Sequence, residues 1–519
     1  MGEPEVGQVV EGGSLSYDLR GWVSRVREAG LLKEVRGAHW DLEIGGITDL
    51  NAKRSKWSLL FDEIPGYPEG YRILTGTMLD AWRVSHTFGL KECRTDLDLV
   101  EAFREQLKSQ GGETAARGDD EYGEFSLSVS GLDSKNTAYE VGEAPLFENR
   151  FEGDEVDILR LPVPKWHEHD RGRYIGTLDA VITRDPESAW VNVGAYRNMV
   201  YDNRTLCVFI NVSHHGRAHL QKYQERGERA PIAISFGHHP LISALGGMEI
   251  PEGMSEYDYA GMLRSEPYPV VRGPVTGLPL PADSEIAIEG YVSNDLVDEG
   301  PYGEFLGYYA GGAMKTPTIE VRALYHRNTP ILLGTNAGIP PYDYSYFRCP
   351  VRAAVIWNGL EKAGVPNVAG VWCHEAGYSR AINIVSIKQA YKGHAQQAGF
   401  VASQIQGGVF GGKYVIVVDE DIDPTDTNQV LWALASRTDP VHSFEFIKNA
   451  WGMALDPMVE REEGQGLNEL SMSRAVVNAC KPIERLNKDE FPRTVEVRSD
   501  LREKLLREWA DVLGEDGRP

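Results

Sequence analysis

Positive charge is in short supply in this 519-residue sequence: 53 Lys and Arg face 77 Asp and Glu, a formal charge of -24. That excludes a binder of nucleic-acid backbones, which needs a basic face. It also means that an anionic ligand must find a locally positive pocket. Cysteine is scarce as well, with Cys93, Cys207, Cys349, Cys373 and Cys480 scattered and without a C-x-x-C pair. Neither a disulfide framework nor a thiolate zinc site is expected, and buried thiols in a reducing compartment are the default. No run approaches the roughly 18 apolar residues of a membrane span. The N-terminus is acidic and polar, with no basic n-region and no apolar h-region, so a cytoplasmic protein with no membrane partner is expected. What is present is 42% hydrophobic and 9% aromatic residues. That composition can bury a sizeable interior, and the length calls for two or three domains.

Residues 18–34 carry apolar positions at helical spacing behind Asp18, a plausible N-cap. Alternating short strands and helices follow to about 108, then a small, polar, charged stretch near 110–135 that reads as a loop or insertion. From about 170 to 330 the runs YIGTLDAVI, WVNVGAY, TLCVFINV, APIAISFG, EIAIEGYVS and TIEVRALYH are short and β-prone, separated by Gly, Pro and Asp. Helical insertions at 216–226 and 255–264 interrupt them, so a barrel or sandwich is expected. Beyond 350 the texture is α/β, with helices at 351–364, 388–406 and 499–512 around YVIVVDEDI, which suits a strand covered on both faces. The domains expected are 1–150, 151–335 and 336–519.

One stretch organises the rest. Glu299-Gly-Pro-Tyr-Gly-Glu304 sets two carboxylates around a segment that cannot continue a helix and makes a poor central strand. Such a turn can face both carboxylates into one cavity, where burial or a like charge raises one pKa and a nearby Arg lowers it. That separation keeps a proton donor at neutral pH. On these residues alone an acidic surface turn is the commoner reading. Arg197, after Gly194, could pair with either glutamate or clamp a carboxylate, or form a surface ion pair. His214 and His215, if on a strand, point to opposite faces, so one at most enters a given site. Ser255 resembles an N-cap with Glu256 in the first turn. Together Asn192, His215 and Glu256 make a mixed N/O set that suits Mn²⁺ or Mg²⁺ better than zinc. Lys388 could neutralise a phosphate or lie on an exposed basic face; the HEHD string at 167–170 fits no ligand spacing and reads as structural.

The segments GDEVDILRLPVP, GRYIGT, Asn192 to Arg197, IPEGMSEYDYAG, SNDLV, EGPYGEF and IKQAYKGHA occur in the order found in UbiD-family decarboxylases, which the sequence resembles over roughly residues 18–495. The resemblance implies an α+β protein: an N-terminal α/β domain, a central split β-barrel of flavin-reductase type that holds the cofactor, and a C-terminal α/β domain that oligomerises. It implies prenylated FMN supplied by a flavin prenyltransferase, Mn²⁺ (or Mg²⁺) and often K⁺, and a homodimer or higher homo-oligomer. The implied metal ligands are Asn192, His215 and Glu256, and the implied catalytic network is Glu299, Arg197 and Glu304. Gly194, Ala195, His214, Met248 and Lys388 fall at cofactor positions, and Phe305, Tyr391, Lys392, Met453 and Leu455 at the substrate pocket. Val193, Gly194 and His214 depart from the ferulate enzyme's pattern, and Gly246 stands where a Ser hydroxyl helps to hold K⁺.

The activity implied is reversible, non-oxidative release of CO₂ from an aromatic or heteroaromatic acid, of hydroxybenzoate, pyrrole, indole or phenazine type. Glu304 is then the proton donor and Arg197 orients the carboxylate. Cinnamic or ferulic-type acids are the alternative substrates. The rivals are a flavin reductase or oxidase, which would consume NAD(P)H without releasing CO₂, and a non-enzymatic carrier of the flavin.

Overall fold

The structure is a computed structural model and describes residues 17–109, 136–211, 214–248, 250–460 and 469–513. The loop or insertion expected near 110–135 lies outside these residues. The chain builds a mixed α/β architecture around three main sheets.

The N-terminal helix, Leu19–Glu28, begins where expected, with the Asp18 side chain accepting the Arg20 amide. It ends sooner, because the chain turns at Gly30 (φ +72°) into the strand Leu32–Arg36. That strand lies in a four-stranded sheet with Ser58–Asp62, Arg72–Thr75 and, from far along the sequence, Ile331–Leu333. Arg20 grips the buried Glu285 with two bonds of 2.8 and 2.9 Å, tying this helix to the central sheet.

The central sheet has nine strands, and every pairing in it is antiparallel. Its spine is the pair Ile286–Glu299 and Met314–His326, longer than the β-prone runs predict, with register shifts at Glu289/Gly290 and Val292/Leu296. Such bulges bend and twist a strand. The run YIGTLDAVI divides into the strands Arg173–Gly176 and Ala180–Arg184. Ile232, Ile234, Ile286, Ile288, Val321 and Leu324 fill one face of the sheet and are buried. Each such side chain contributes about 1.5–3 kcal/mol by leaving water.

The C-terminal sheet orders Val368–Cys373, Ile382–Ile387, Tyr414–Asp419, Ser471–Asn478 and Phe444–Trp451. The expected helix at 388–406 is shorter, His394–Gln404, because Gly393 at φ +88° separates it from a non-helical stretch. The helix expected at 351–364 starts earlier, as Asp343–Lys362, and carries Pro350 within it. All five cysteines are buried and unbridged. Among the described residues no helix is long and apolar enough to cross a membrane.

Candidate active site

The strand Ile286–Glu299 ends at Glu299, paired with Met314. Gly300 then turns the chain at φ +82°, and a Cβ there would meet the Gly312 carbonyl oxygen at 2.4 Å, so the turn requires glycine. Across the sheet, Arg197 sits between the strands Val191–Gly194 and Asn198–Val200, its carbonyl accepting the Phe209 amide at 3.2 Å. These two turns bring the three predicted residues together. Arg197 donates from Nε and Nη2 to the two oxygens of Glu299, both at 2.8 Å, and from Nη1 to Oε1 of Glu304 at 2.7 Å. Glu299 is fully buried and Glu304 is 8% exposed. The Phe209 and Tyr302 rings cover the guanidinium at 4.4 and 5.0 Å. Tyr174 donates its hydroxyl to Glu299 at 2.8 Å.

Two carboxylates on one guanidinium leave a buried cluster one negative charge in excess, and a proton relieves it. Burial raises the Glu304 pKa; Arg197 opposes this, while Glu299 and Asp170 reinforce it. Burial works against the charge on Arg197, but its hydrogen bond to Glu299 and the charges of both glutamates hold its pKa above the ordinary value.

A second cluster lies at the other end of the Val191–Gly194 strand. Glu256, the first residue of the helix Glu256–Arg264 behind the N-cap Ser255, accepts the Val193 amide at 2.6 Å. Asn192, buried beside it, reaches the Tyr196 hydroxyl at 3.4 Å. His214 and His215 are not on a strand. They form the N-cap and first residue of the helix His215–Glu225, because Gly216 and the residues after it take up helical spacing. The His215 ring meets Trp190 edge-on at 4.9 Å, and the Trp190 indole donates to the Met254 carbonyl at 3.0 Å, two residues before Glu256. The His214 ring faces Tyr196 at 5.4 Å.

Three family domains match this chain in sequence order. The domain described as UbiD, the 3-octaprenyl-4-hydroxybenzoate carboxy-lyase Rift-related domain, matches residues 138–340. The corresponding N-terminal domain matches 23–103 and the C-terminal domain 345–479. The pyrrole-2-carboxylic acid decarboxylase of Pseudomonas aeruginosa is 31% identical over 486 residues, 90% of this chain and 92% of that protein. The chain belongs to the UbiD family. The phenolic acid decarboxylase of Escherichia coli O157:H7 is 32% identical over 373 residues, 70% of this chain and 75% of that protein. Among solved structures, the UbiD-class enzyme HmfF of Pelotomaculum thermopropionicum in complex with FMN is 26% identical, with a TM-score of 0.77 over 93% of this chain and 98% of that one.

The backbone around Gly194 and Gly246 in this UbiD-family chain is closely packed. The Ala195 amide donates to the Gly246 carbonyl at 2.8 Å, and a Cβ on Gly194 would overlap the Tyr196 ring at 2.2 Å. Met248 is half-buried at the end of the same turn. Phe305 packs edge-on against Tyr378 of the C-terminal domain at 6.0 Å, and Met453 is buried beside Gly411 and Arg380. Leu455 is half-buried two residues on. Lys388, Tyr391 and Lys392 are not brought to Arg197: Lys388 pairs with Glu420 at 3.5 Å, Lys392 with Glu484 at 2.8 Å, and the Tyr391 hydroxyl bonds Gln397. Tyr174, Tyr302 and Asp170 join the site although none is singled out in the sequence; their signals there are the segments GRYIGT, EGPYGEF and HEHD that contain them.

Among the described residues no group of three or more His, Cys, Asp and Glu converges on a metal position. Asn192, His215 and Glu256 contain only two such residues, and their chemistry fits a hard divalent cation. Glu256 is buried, no Lys or Arg among the described residues pairs with it, and burial pushes its pKa up to about 8. Its folded pKa lies above the ordinary 4.5, so its stabilising contribution is complete below the unfolded value and is lost as pH rises through about 8. Glu256→Gln is therefore expected to raise the metal-free Tm at pH 9, to change it little at pH 5, and to abolish any rise in Tm on adding Mn²⁺. A Mn²⁺-dependent rise that survives the substitution removes Glu256 from the ligand set.

Proposed function

We propose that this chain releases CO₂ from an aromatic or heteroaromatic carboxylic acid, using a prenylated FMN held with a divalent cation by Asn192, His215 and Glu256. The observation that carries this reading is the arginine shared by two buried glutamates. The nine-stranded sheet is read as the split barrel on which the flavin lies. Decarboxylation of an aryl carbon leaves an in-plane electron pair, and the flavin, when bound, supplies the electron sink that no side chain offers.

The chain's own residues do the rest. A guanidinium has five N–H donors. Arg197 uses one on each of Nε, Nη1 and Nη2, which leaves two for a substrate carboxylate. Glu299 fixes the plane of that fork, and Tyr174 fixes Glu299. Glu304 contacts Arg197 through Oε1 only, so Oε2 can hold the proton that replaces CO₂ on carbon. The Phe209 and Tyr302 rings keep water from the guanidinium. Phe305, Met453 and Leu455 offer an apolar wall to an aromatic ring, and the implied roles of Lys388, Tyr391 and Lys392 require a different arrangement of the 388–392 segment. The homo-oligomer and K⁺ implied by the resemblance remain part of this proposal.

The test is co-expression with a flavin prenyltransferase, then CO₂ release across hydroxybenzoic, pyrrole-, indole- and phenazine-carboxylic, and cinnamic and ferulic acids. Turnover on the ring acids is the expected result. Phenolic acid decarboxylases among the relatives keep hydroxylated acids high in the panel. NAD(P)H consumption without CO₂ from any acid overturns the proposal.

A further inference from the structure

The HEHD string, which its spacing marks as structural, lies against the proton-donor loop. Asp170 is 3% exposed. Its Oδ1 accepts the Gly303 amide at 3.0 Å, and the next residue, Arg171, donates its amide to the Pro301 carbonyl at 2.9 Å. One turn therefore fastens both ends of the run Pro301–Gly303. Between those two bonds stands Tyr302, whose ring covers Arg197 at 5.0 Å, and the residue after the second bond is Glu304. The other oxygen, Oδ2, accepts the His167 amide at 3.0 Å, with the His167 imidazole Nδ1 at 3.4 Å.

The amides of Gly303 and His167 need two acceptor oxygens, which a carboxylate offers and an asparagine, with one oxygen and an NH₂ donor, does not. Burying that carboxylate is costly, because no Lys or Arg among the described residues pairs with it and Glu304 lies close by.

We propose that Asp170 is a positioning residue for the proton donor: its two oxygens set the height of the 301–303 run and hold its carboxylate one residue from Glu304. This rests on Glu304 being the donor. The groups that face Glu304 are Arg197, which draws the proton off, and Glu299 and Asp170, which hold it, with the Tyr302 and Tyr342 hydroxyls nearby. Those facing Asp170 are His167, Tyr302 and Tyr309.

The experiment compares holoenzyme carrying Asp170→Asn with Asp170→Glu. Asp170→Asn removes the charge and one of the two acceptors, so kcat is expected to fall and, because loss of the charge favours ionised Glu304, the alkaline limb of kcat/KM to move to lower pH by roughly half a unit or more. Asp170→Glu, which keeps the charge but displaces the loop, is expected to lower kcat and leave that limb in place. A parallel infrared titration of the metal-free protein follows the Glu304 carboxyl band, assigned by its loss in Glu304→Gln, and is expected to show the same displacement. If Asp170→Asn does not fold, Asp170→Ser takes its place. A folded neutral variant whose limb and carboxyl band both stay at the wild-type pH overturns the inference. If the wild-type enzyme releases CO₂ from no acid, the functional reading fails and the infrared titration alone decides this one.

Discussion

Glu304→Gln is expected to lower CO₂ release by about 10²–10⁴, the range that a positioned proton donor contributes, while the purified protein keeps its flavin. The substitution is close to isosteric, and the amide oxygen can still accept from Arg197 Nη1, now at 2.7 Å from Oε1. Glutamine cannot give up a proton. The loss should therefore fall on kcat with little change in KM, as for an interaction made only in the transition state. The same residue fixes a pH dependence. Burial raises the Glu304 pKa, and the donor acts in its protonated form, so wild-type kcat/KM is expected to decline as pH rises through that raised value. The residual activity of Glu304→Gln should lack this decline. The flavin absorbance of each preparation and CO₂ release between pH 5.5 and 9 are the measurements. A variant with full turnover, or one that retains the alkaline decline, shows that the proton comes from elsewhere.

Several parts of this site were legible in the sequence because they are local. Asp18 and Ser255 cap helices as their side chains predict, and the Gly-Pro-x-Gly turn lets Glu299 and Glu304 meet one guanidinium. The order of the short segments carried the family. Other parts depend on partners hundreds of residues away. Nothing in Ile331–Leu333 tells that it completes the N-terminal sheet beside Arg72–Thr75. Tyr174 is an unremarked tyrosine until Glu299 is placed beside it at 2.8 Å. His214 and His215 read as a strand pair because the residues before them are β-prone, and the helix that follows prevailed. Asp170 fits no metal-ligand spacing, and its partners, the amides of His167 and Gly303, are visible only once the chain has folded.

Arg197→Met is expected to destabilise the protein by about 3–5 kcal/mol, since removing one partner of a buried ion-pair cluster leaves the others without counter-charge. Arg197 holds both glutamates, with side chains 0% and 10% exposed. Without the guanidinium, the burial that already raises Glu304 acts unopposed, and the folded state of the variant binds a proton more tightly than the unfolded state does. The sign follows: the variant loses stability relative to wild type as pH rises. The gap in Tm should thus be wider at pH 8.5 than at pH 5.5. Arg197→Lys restores a positive charge but not a planar fork that reaches two carboxylates at once, so it should recover much of the Tm and little of the turnover. Replacing all three residues, as Arg197→Met with Glu299→Gln and Glu304→Gln, removes the uncompensated charge and should return most of the stability with no activity. Calorimetry on the four proteins separates the terms. If Arg197→Met is as stable as wild type at pH 8.5, the cluster does not bear on folding, and if Arg197→Lys turns over at the wild-type rate, the fork does not bear on catalysis.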